Sequence, residues 1–270
     1  MTRQSGRSIP SRVAPVLEAL ELDQPRVVTV ADLDVLAAEH AVGLDGTELA
    51  YELRRRGWLS TLRTRGAWEF VPGARAGRFG AGDRHIELRA ALALDPGFPG
   101  ALAMESAAVA LGLAGRIPEQ EVLSLPPGTR LPKALDEWRV VTLQVEPDGL
   151  TRIDGLPVWR VETLLVGLAR RPAGYRDWPN VAEWLDEAVE RVDMTVIRGQ
   201  LIDAPRSAWR RAGYLLAVGG RADAGTALIE SEPAGSGPVY LGPRERDGRF
   251  DKRFDVIDSV LAPAVTAAER

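Results

Sequence analysis

The apolar residues of the first 57 positions recur with helical spacing in three segments. The segments run from about Ala14 to Leu22, from Ala31 to Glu39, and from Asp45 or Thr47 to Gly57. Apolar residues at i, i+3 and i+4 give each helix one face that packs against a core. A glycine is typical of a helix end, because it adopts the left-handed cap conformation without a steric penalty. The pattern therefore predicts three short helices.

Short β-type runs accompany these helices. The run Val27–Val30 precedes the second helix, and Thr29 with Asp32 has the spacing of a capping box. After the third helix, two apolar runs flank a short polar segment in the pattern of a β-hairpin; the runs and the predicted hairpin tip are Trp58-Leu59, Ala67–Val71 and Thr64–Gly66. Helix, strand, helix, turn, helix and hairpin is the order of a winged helix-turn-helix domain.

The rest of the chain predicts a second, larger domain of mixed α+β class. The glycine- and alanine-rich segment 73–82 is typical of a linker. We therefore expect a winged-helix domain at 1–80, of which 1–9 is disordered, and an α+β domain at 83–270. Strands followed by helices, without regular βαβ alternation, favour an α+β fold over a doubly wound sheet.

Periodicity predicts individual elements in the second domain. The helices are His85–Leu94, Ala101–Leu111, Val161–Arg170, Val181–Val192, Thr195–Leu201, Ser207–Val218 and Ala222–Ile229. The strands are Glu121–Leu125, Trp138–Val145, Thr151–Ile153, Leu156–Trp159, Val239–Leu241 and Phe254–Ile257, with a hairpin-type turn at Pro147–Gly149.

The stretch from Leu53 to Gly66 contains five arginines and no carboxylate; these five, the arginine patch, are Arg54, Arg55, Arg56, Arg63 and Arg65. An arginine-bearing helix followed by a hairpin with arginine at its tip is how a winged helix meets DNA. Helical spacing places Thr47, Tyr51, Arg54 and Arg55 on the outer face, which would enter the major groove. Arg56, Arg63 and Arg65 would then neutralise phosphate or reach the minor groove. The alternative is a solvated basic surface, and the net charge of −4 weighs mildly against DNA.

Other chemistry is sparse in the sequence. The absence of cysteine excludes disulfides and thiolate metal sites. The two histidines, His40 and His85, do not make a zinc site without cysteine, and the sequence has no Gly-x-Ser-x-Gly elbow for a Ser–His–Asp triad. We therefore expect no catalytic residue, metal or cofactor. The chain has no apolar run of membrane-spanning length, and we expect a cytoplasmic protein that binds no membrane.

Two further groups of charged residues leave alternatives open. Glu183, Glu187 and Glu190 share one helical face, and they could serve acid/base work or bind Mg²⁺. The outer face of an amphipathic helix explains them at least as well. The basic cluster of Arg206, Arg210 and Arg211 could contact phosphate, bind a partner or face solvent.

The segment 28–72 resembles the N-terminal winged-helix domain of AbiEi-type antitoxins, which belong to bacterial type IV toxin–antitoxin systems. The resemblance is carried by Thr29–Leu33, Leu53–Leu59, Leu62-Arg63 and Arg65–Trp68. It continues more weakly through Glu105–Leu113, Ile153–Val158 and Val161–Leu164, and so spans most of the chain.

This resemblance implies a function. Antitoxins of this family repress their own operon through inverted repeats in double-stranded DNA, with two protomers on one operator. Their C-terminal domain counteracts a nucleotidyltransferase-like toxin, and direct contact with that toxin is not implied. An alternative is a one-component regulator whose C-terminal domain senses a ligand. An enzyme with an accessory DNA-binding domain is a third hypothesis.

Overall fold

The computed structural model describes residues 10–75, 82–244 and 246–262. The chain divides into two compact units, of which the first comprises Met1–Phe98 and Arg130–Glu137 and the second comprises the remainder. The predicted disordered segment 1–9 and positions 76–81 of the predicted linker lie outside the described residues. The first unit is longer than the predicted 1–80 segment, because it includes a fourth helix and residues 130–137.

The first unit contains four α-helices and one small sheet within its described residues. The helices are α1 (Ala14–Asp23), α2 (Val30–Glu39), α3 (Gly46–Arg55) and α4 (Ile86–Leu94). The strands are β1 (Val27–Thr29), β2 (Leu59–Thr61) and β3 (Ala67–Phe70), paired antiparallel in the order β1-β3-β2. Up to β3, these elements follow the order predicted for a winged helix-turn-helix. Helix α4 packs against β1 and β3.

Two capping boxes define the starts of α2 and α3. The Asp32 amide donates to Thr29 Oγ1 at 3.2 Å, and the Thr29 amide donates to Asp32 Oδ2 at 2.8 Å. At α3, the Glu48 amide donates to Asp45 Oδ1 at 2.8 Å, and the Asp45 amide donates back to Glu48 Oε2 at 3.2 Å. Each box satisfies donors that a helix start leaves unpaired. Of the two predicted starts of α3, Asp45 is the cap.

The core of the first unit is formed by apolar side chains from all three N-terminal helices and the hairpin. Its buried members are Val13, Val16, Leu17, Leu20, Val28, Leu33, Ala37, Val42, Leu49, Ala50, Leu53, Trp58, Leu59 and Phe70. The predicted apolar faces of α1, α2 and α3 are therefore the faces that pack together.

The second unit has a mixed five-stranded sheet, a three-stranded sheet and six described α-helices, so the predicted α+β class is confirmed. The helices are α5 (Met104–Ala110), α6 (Val161–Arg170), α7 (Trp178–Glu190), α8 (Met194–Leu201), α9 (Arg206–Val218) and α10 (Ala222–Ile229). The larger sheet has the order β6-β5-β4-β8-β7 and contains β4 (Ala101–Leu102), β5 (Val122–Leu125), β6 (Arg139–Thr142), β7 (Leu150–Ile153) and β8 (Leu156–Trp159). The smaller has the order β10-β11-β9, from β9 (Val239–Leu241), β10 (Arg249–Asp251) and β11 (Val256–Asp258).

Two predicted elements of the second unit were wrong. The apolar run Ala101–Leu111 is a strand followed by a helix, because Ala103 is extended and Met104 has a φ of +47°. An apolar run buried on all sides does not distinguish strand from helix by periodicity. The turn at Pro147–Gly149 joins no hairpin, since β6 pairs with β5 and not with β7. The hairpin lies between β7 and β8, where Asp154 and Gly155 have φ values of +50° and +77°.

Within the described ranges, none of the helices combines the length and apolar character needed to cross a bilayer.

The crossing of α9 and α10 depends on a close approach at a glycine. A methyl group on Gly213 would lie 2.8 Å from the carbonyl oxygen of Gly225 and 2.8 Å from Ile229 Cγ2. We expect Gly213→Ala to lower the free energy of unfolding by about 1–3 kcal/mol through overpacking. Gly199→Ala is the matched control, because its added methyl would meet no atom within 4 Å apart from its chain neighbours and its own helix backbone. That helical substitution should be stabilising by up to about 1 kcal/mol. Denaturant midpoints at constant m-value measure both; equal effects would contradict the proposed packing constraint.

Candidate nucleic-acid interface

Helix α3 presents a mixed aromatic and basic face to solvent. Leu49 and Leu53 are buried in the core, whereas Thr47, Tyr51 and Arg54 are exposed. The Arg54 guanidinium carbon lies 5.9 Å from the centroid of the Tyr51 ring, within cation–π range. Arg55 is also exposed. The structure thus brings together the four side chains that helical spacing placed on the outer face.

A carboxylate on α3 pairs with two of the five arginines. Glu52 Oε2 lies 3.4 Å from Arg55 Nη2 and 3.3 Å from Arg56 Nε. Desolvation raises the pKa of Glu52, but the two guanidinium groups outweigh it, so that pKa lies below its ordinary value. The Arg55 side chain remains 57% exposed, while that of Arg56 is only 21% exposed. Arg55 is therefore open to a ligand, and Arg56 is largely held against its own helix.

The tip of the hairpin carries the other two arginines in different environments. Arg65 is exposed and forms no hydrogen bond or ion pair with any described residue. Arg63 is paired, because its Nη2 lies 2.5 Å from Asp136 Oδ1 and its Nη1 lies 2.9 Å from Glu137 Oε2. The hydrogen bond with Asp136 raises the pKa of Arg63 above its ordinary value. Neither carboxylate is predicted as a partner of Arg63 by the sequence.

Helix α4 holds the backbone of the same hairpin tip. Glu87 accepts hydrogen bonds from the Arg63 amide at 2.6 Å, the Thr64 amide at 3.1 Å and Thr64 Oγ1 at 2.7 Å. Gly66 completes the tip with a φ of +81°, which favours glycine. The three carboxylates of Glu87, Asp136 and Glu137, which come from two segments distant in sequence, therefore fix the conformation and charge of the tip.

The two tryptophans of the hairpin serve packing. Trp58 is buried in the core, and Trp68 packs against that core while partly exposed. Both tryptophans therefore hold the hairpin against the helical core.

The basic cluster on α9 is a set of internal braces. Arg206 pairs with Glu232 and Asp255, and Arg210 pairs with Glu232 through Nε and Nη2 at 2.5 Å each. Arg211 donates to the carbonyl oxygens of Tyr240 and Ala169 at 2.6 and 3.0 Å; burial, then Arg244, lowers its pKa. These arginines donate their hydrogen bonds to other groups of the second unit. The alternative of a phosphate- or partner-binding surface is therefore not supported.

The two histidines and the three glutamates considered from the sequence lie at helix caps or on an exposed helix face. His40 is the C-cap residue of α2, and His85 is the N-cap residue of α4. Glu183, Glu187 and Glu190 are exposed on α7, and Glu187 pairs with Arg191 at 3.3 Å. Across ranges 10–75, 82–244 and 246–262, no group of three or more His, Asp or Glu side chains is placed to hold a metal ion.

A mainly apolar cavity lies within the second unit. It has a volume of about 870 Å³ and a mainly apolar wall that includes Tyr175, Trp178, Pro179 and Pro243. Arg176 and Arg246 also line it. Its size is in the range of small-molecule sites.

Comparisons with known proteins extend these observations. A family model described as the AbiEi antitoxin C-terminal domain matches residues 100–218. The crystal structure of the RV2827C protein from Mycobacterium tuberculosis is similar over the whole chain, with 31% sequence identity and a TM-score of 0.82. That alignment covers 100% of this chain and 99% of the other. The comparison with curated proteins gives no match.

The brace on α9 predicts a stability effect. Arg210→Ala leaves one face of Glu232 without its charged hydrogen-bond donors, and we expect a loss of about 1.5–3 kcal/mol in the free energy of unfolding. Arg191→Ala is the matched control, because it removes an exposed i,i+4 pair worth roughly 0.3–0.5 kcal/mol. Denaturant unfolding of both variants checks this. If the two losses were equal, the brace would be no more than a surface ion pair.

Proposed function

Because this chain belongs to the AbiEi antitoxin family, we propose that it is a DNA-binding antitoxin that represses its own toxin–antitoxin operon. The observation that carries the proposal is the exposed face of α3, with Tyr51, Arg54 and Arg55, next to a hairpin tip bearing Arg65. A helix with this face enters the major groove, and the hairpin meets the adjacent backbone.

The side chains of α3 suit the reading of base edges. A guanidinium group can donate two hydrogen bonds to O6 and N7 of guanine, which makes Arg54 and Arg55 the candidate base-reading residues. The ring of Tyr51 restricts the Arg54 guanidinium through its cation–π contact. Thr47 lies one residue into the helix and contributes a hydroxyl near its start.

The hairpin contributes through charge. Arg65 neutralises phosphate, a contact that raises affinity for every sequence and makes it salt-dependent. Arg56 and Arg63 have a smaller role in DNA binding than their charge alone suggests, because carboxylates of the first unit already hold them.

The biological setting follows from the family. Two protomers bind the inverted repeats of one operator, since a two-fold arrangement of the protein matches a palindromic site. The second unit counteracts a nucleotidyltransferase-like toxin encoded alongside, by action on its target or on the toxin itself. A neighbouring reading frame for such a protein is the discriminating observation.

We expect the double substitution R54A/R55A to abolish sequence-specific binding to the upstream DNA of the gene. Losing one bidentate base contact costs about 1–3 kcal/mol. The control R191A/R253A removes the same charge from exposed positions of the second unit and should leave affinity near wild type. Fluorescence anisotropy at fixed salt and a promoter reporter give the two readouts. Unchanged repression by R54A/R55A would refute α3 as the operator-reading helix.

Arg65→Ala should instead weaken binding to all DNA sequences alike. Loss of one phosphate contact flattens the plot of log affinity against log salt by about 0.9 units. A salt series on operator and unrelated DNA measures this; weakening confined to the operator would mean that Arg65 reads a base.

The cavity near Trp178 supports a second candidate, a regulator whose second unit senses a small molecule. In that case a saturating ligand would change operator affinity, and Trp178→Ala would remove the response while leaving ligand-free repression intact.

A further inference from the structure

Arg63 of the arginine patch has partners from outside the N-terminal 98 residues. Its two terminal nitrogens face different carboxylates, those of Asp136 and Glu137. Both belong to residues 130–137, which lie in sequence between β5 and β6 of the second unit but fold with the first unit. The same residues fall inside the stretch that matches the AbiEi antitoxin C-terminal domain.

The backbone around Arg63 is held as firmly as its side chain. Glu87 accepts from the Arg63 and Thr64 amides and from the Thr64 hydroxyl. These hydrogen bonds hold the hairpin tip in one conformation. The backbone of Arg63 therefore cannot shift without breaking several of them. The two carboxylates already occupy the guanidinium donors of Arg63 that would otherwise bind a phosphate.

Displacement by DNA would be opposed electrostatically. If Arg63 turned toward a phosphate, it would give up its ion pairs with Asp136 and Glu137 and leave both carboxylates beside a polyanion. Even with Arg63 in place, the three side chains together carry a net negative charge. Arg65, which has no described carboxylate partner, carries no such cost.

We infer that Asp136 and Glu137 withhold Arg63 from DNA, so that Arg65 makes the phosphate contact of the hairpin tip. This inference rests on the proposed DNA-binding function and names an element that limits it. The two carboxylates lower the affinity for all DNA sequences, and operator recognition by α3 then accounts for a larger share of the binding. A segment of the antitoxin domain thereby sets the strength of DNA binding.

The experiment compares salt dependence in the full chain. Wild type, R63Q, D136N/E137Q and the triple variant R63Q/D136N/E137Q are titrated with operator and unrelated duplex DNA between about 50 and 200 mM salt. The control E18Q/D23N removes two exposed carboxylates from α1 of the same unit. The side chains of Arg63, Asp136 and Glu137 are each at least 44% exposed. A thermal unfolding measurement on each variant checks that it is folded.

The expected result is a dependence on Arg63 that appears only after the carboxylates are neutralised. R63Q should keep a slope near wild type. D136N/E137Q should steepen the slope by about 0.9 units, which is roughly a threefold larger loss of affinity over this salt range. The triple variant should return to the slope of R63Q, and E18Q/D23N should not steepen it.

Three results would overturn the inference. Flattening by R63Q alone would mean that Arg63 already contacts phosphate. An equal steepening by D136N/E137Q in the presence and absence of Arg63, or by E18Q/D23N, would reduce the effect to overall charge. No change of slope in D136N/E137Q would mean that Arg63 cannot reach DNA even when released. Failure of the proposed function gives different results. In that case the wild-type chain would bind neither the operator nor unrelated DNA, or the R54A/R55A variant would bind the operator as tightly as wild type.

Discussion

The orientation of α3 depends on the burial of Leu49 and Leu53 against the core of the first unit. These side chains are 0% and 1% exposed, and full burial of a leucine contributes about 1.5–3 kcal/mol. An exposed ion pair such as Arg55–Glu52 contributes at most about 1 kcal/mol. The apolar contacts therefore decide which way the helix faces, and its arginines are directed outward as a consequence. The capping box at Asp45 then fixes where the helix begins.

Once the helix is oriented, the availability of each arginine is decided by its carboxylate neighbours. Arg54 contacts an aromatic ring, Arg55 and Arg56 share Glu52, and Arg63 lies between Asp136 and Glu137. A polyphosphate competes for each guanidinium against whatever already holds it. The number of arginines in a stretch is thus an upper limit on the number of contacts that stretch can make to DNA.

Local signals explain why much of the first unit was predictable from its sequence. Caps, helical periodicity and turn glycines act within about four residues. The Thr29 box, the left-handed Gly57 just after α3 and the hairpin after it were all predicted. The mixed α+β class of the second unit followed from the same signals. Where burial is complete, periodicity disappears, and that is why Ala101–Leu111 was predicted as one helix.

Partners distant in sequence have no local signature, and the errors about charge arise from that fact. Arg63 and Asp136 are 73 residues apart, and nothing near either predicts their pairing. The same holds for Arg206 and Arg210 of α9, whose carboxylate partners lie 22 to 49 residues downstream. In both cases the sequence predicted an exposed basic surface, and the fold supplied carboxylates that neutralise it. In one case the result is a partly buried brace. In the other case, Arg63 and its carboxylate partners remain exposed, so that polyphosphate can compete for the arginine. The carboxylates of Asp136 and Glu137 can therefore affect DNA binding as well as stability.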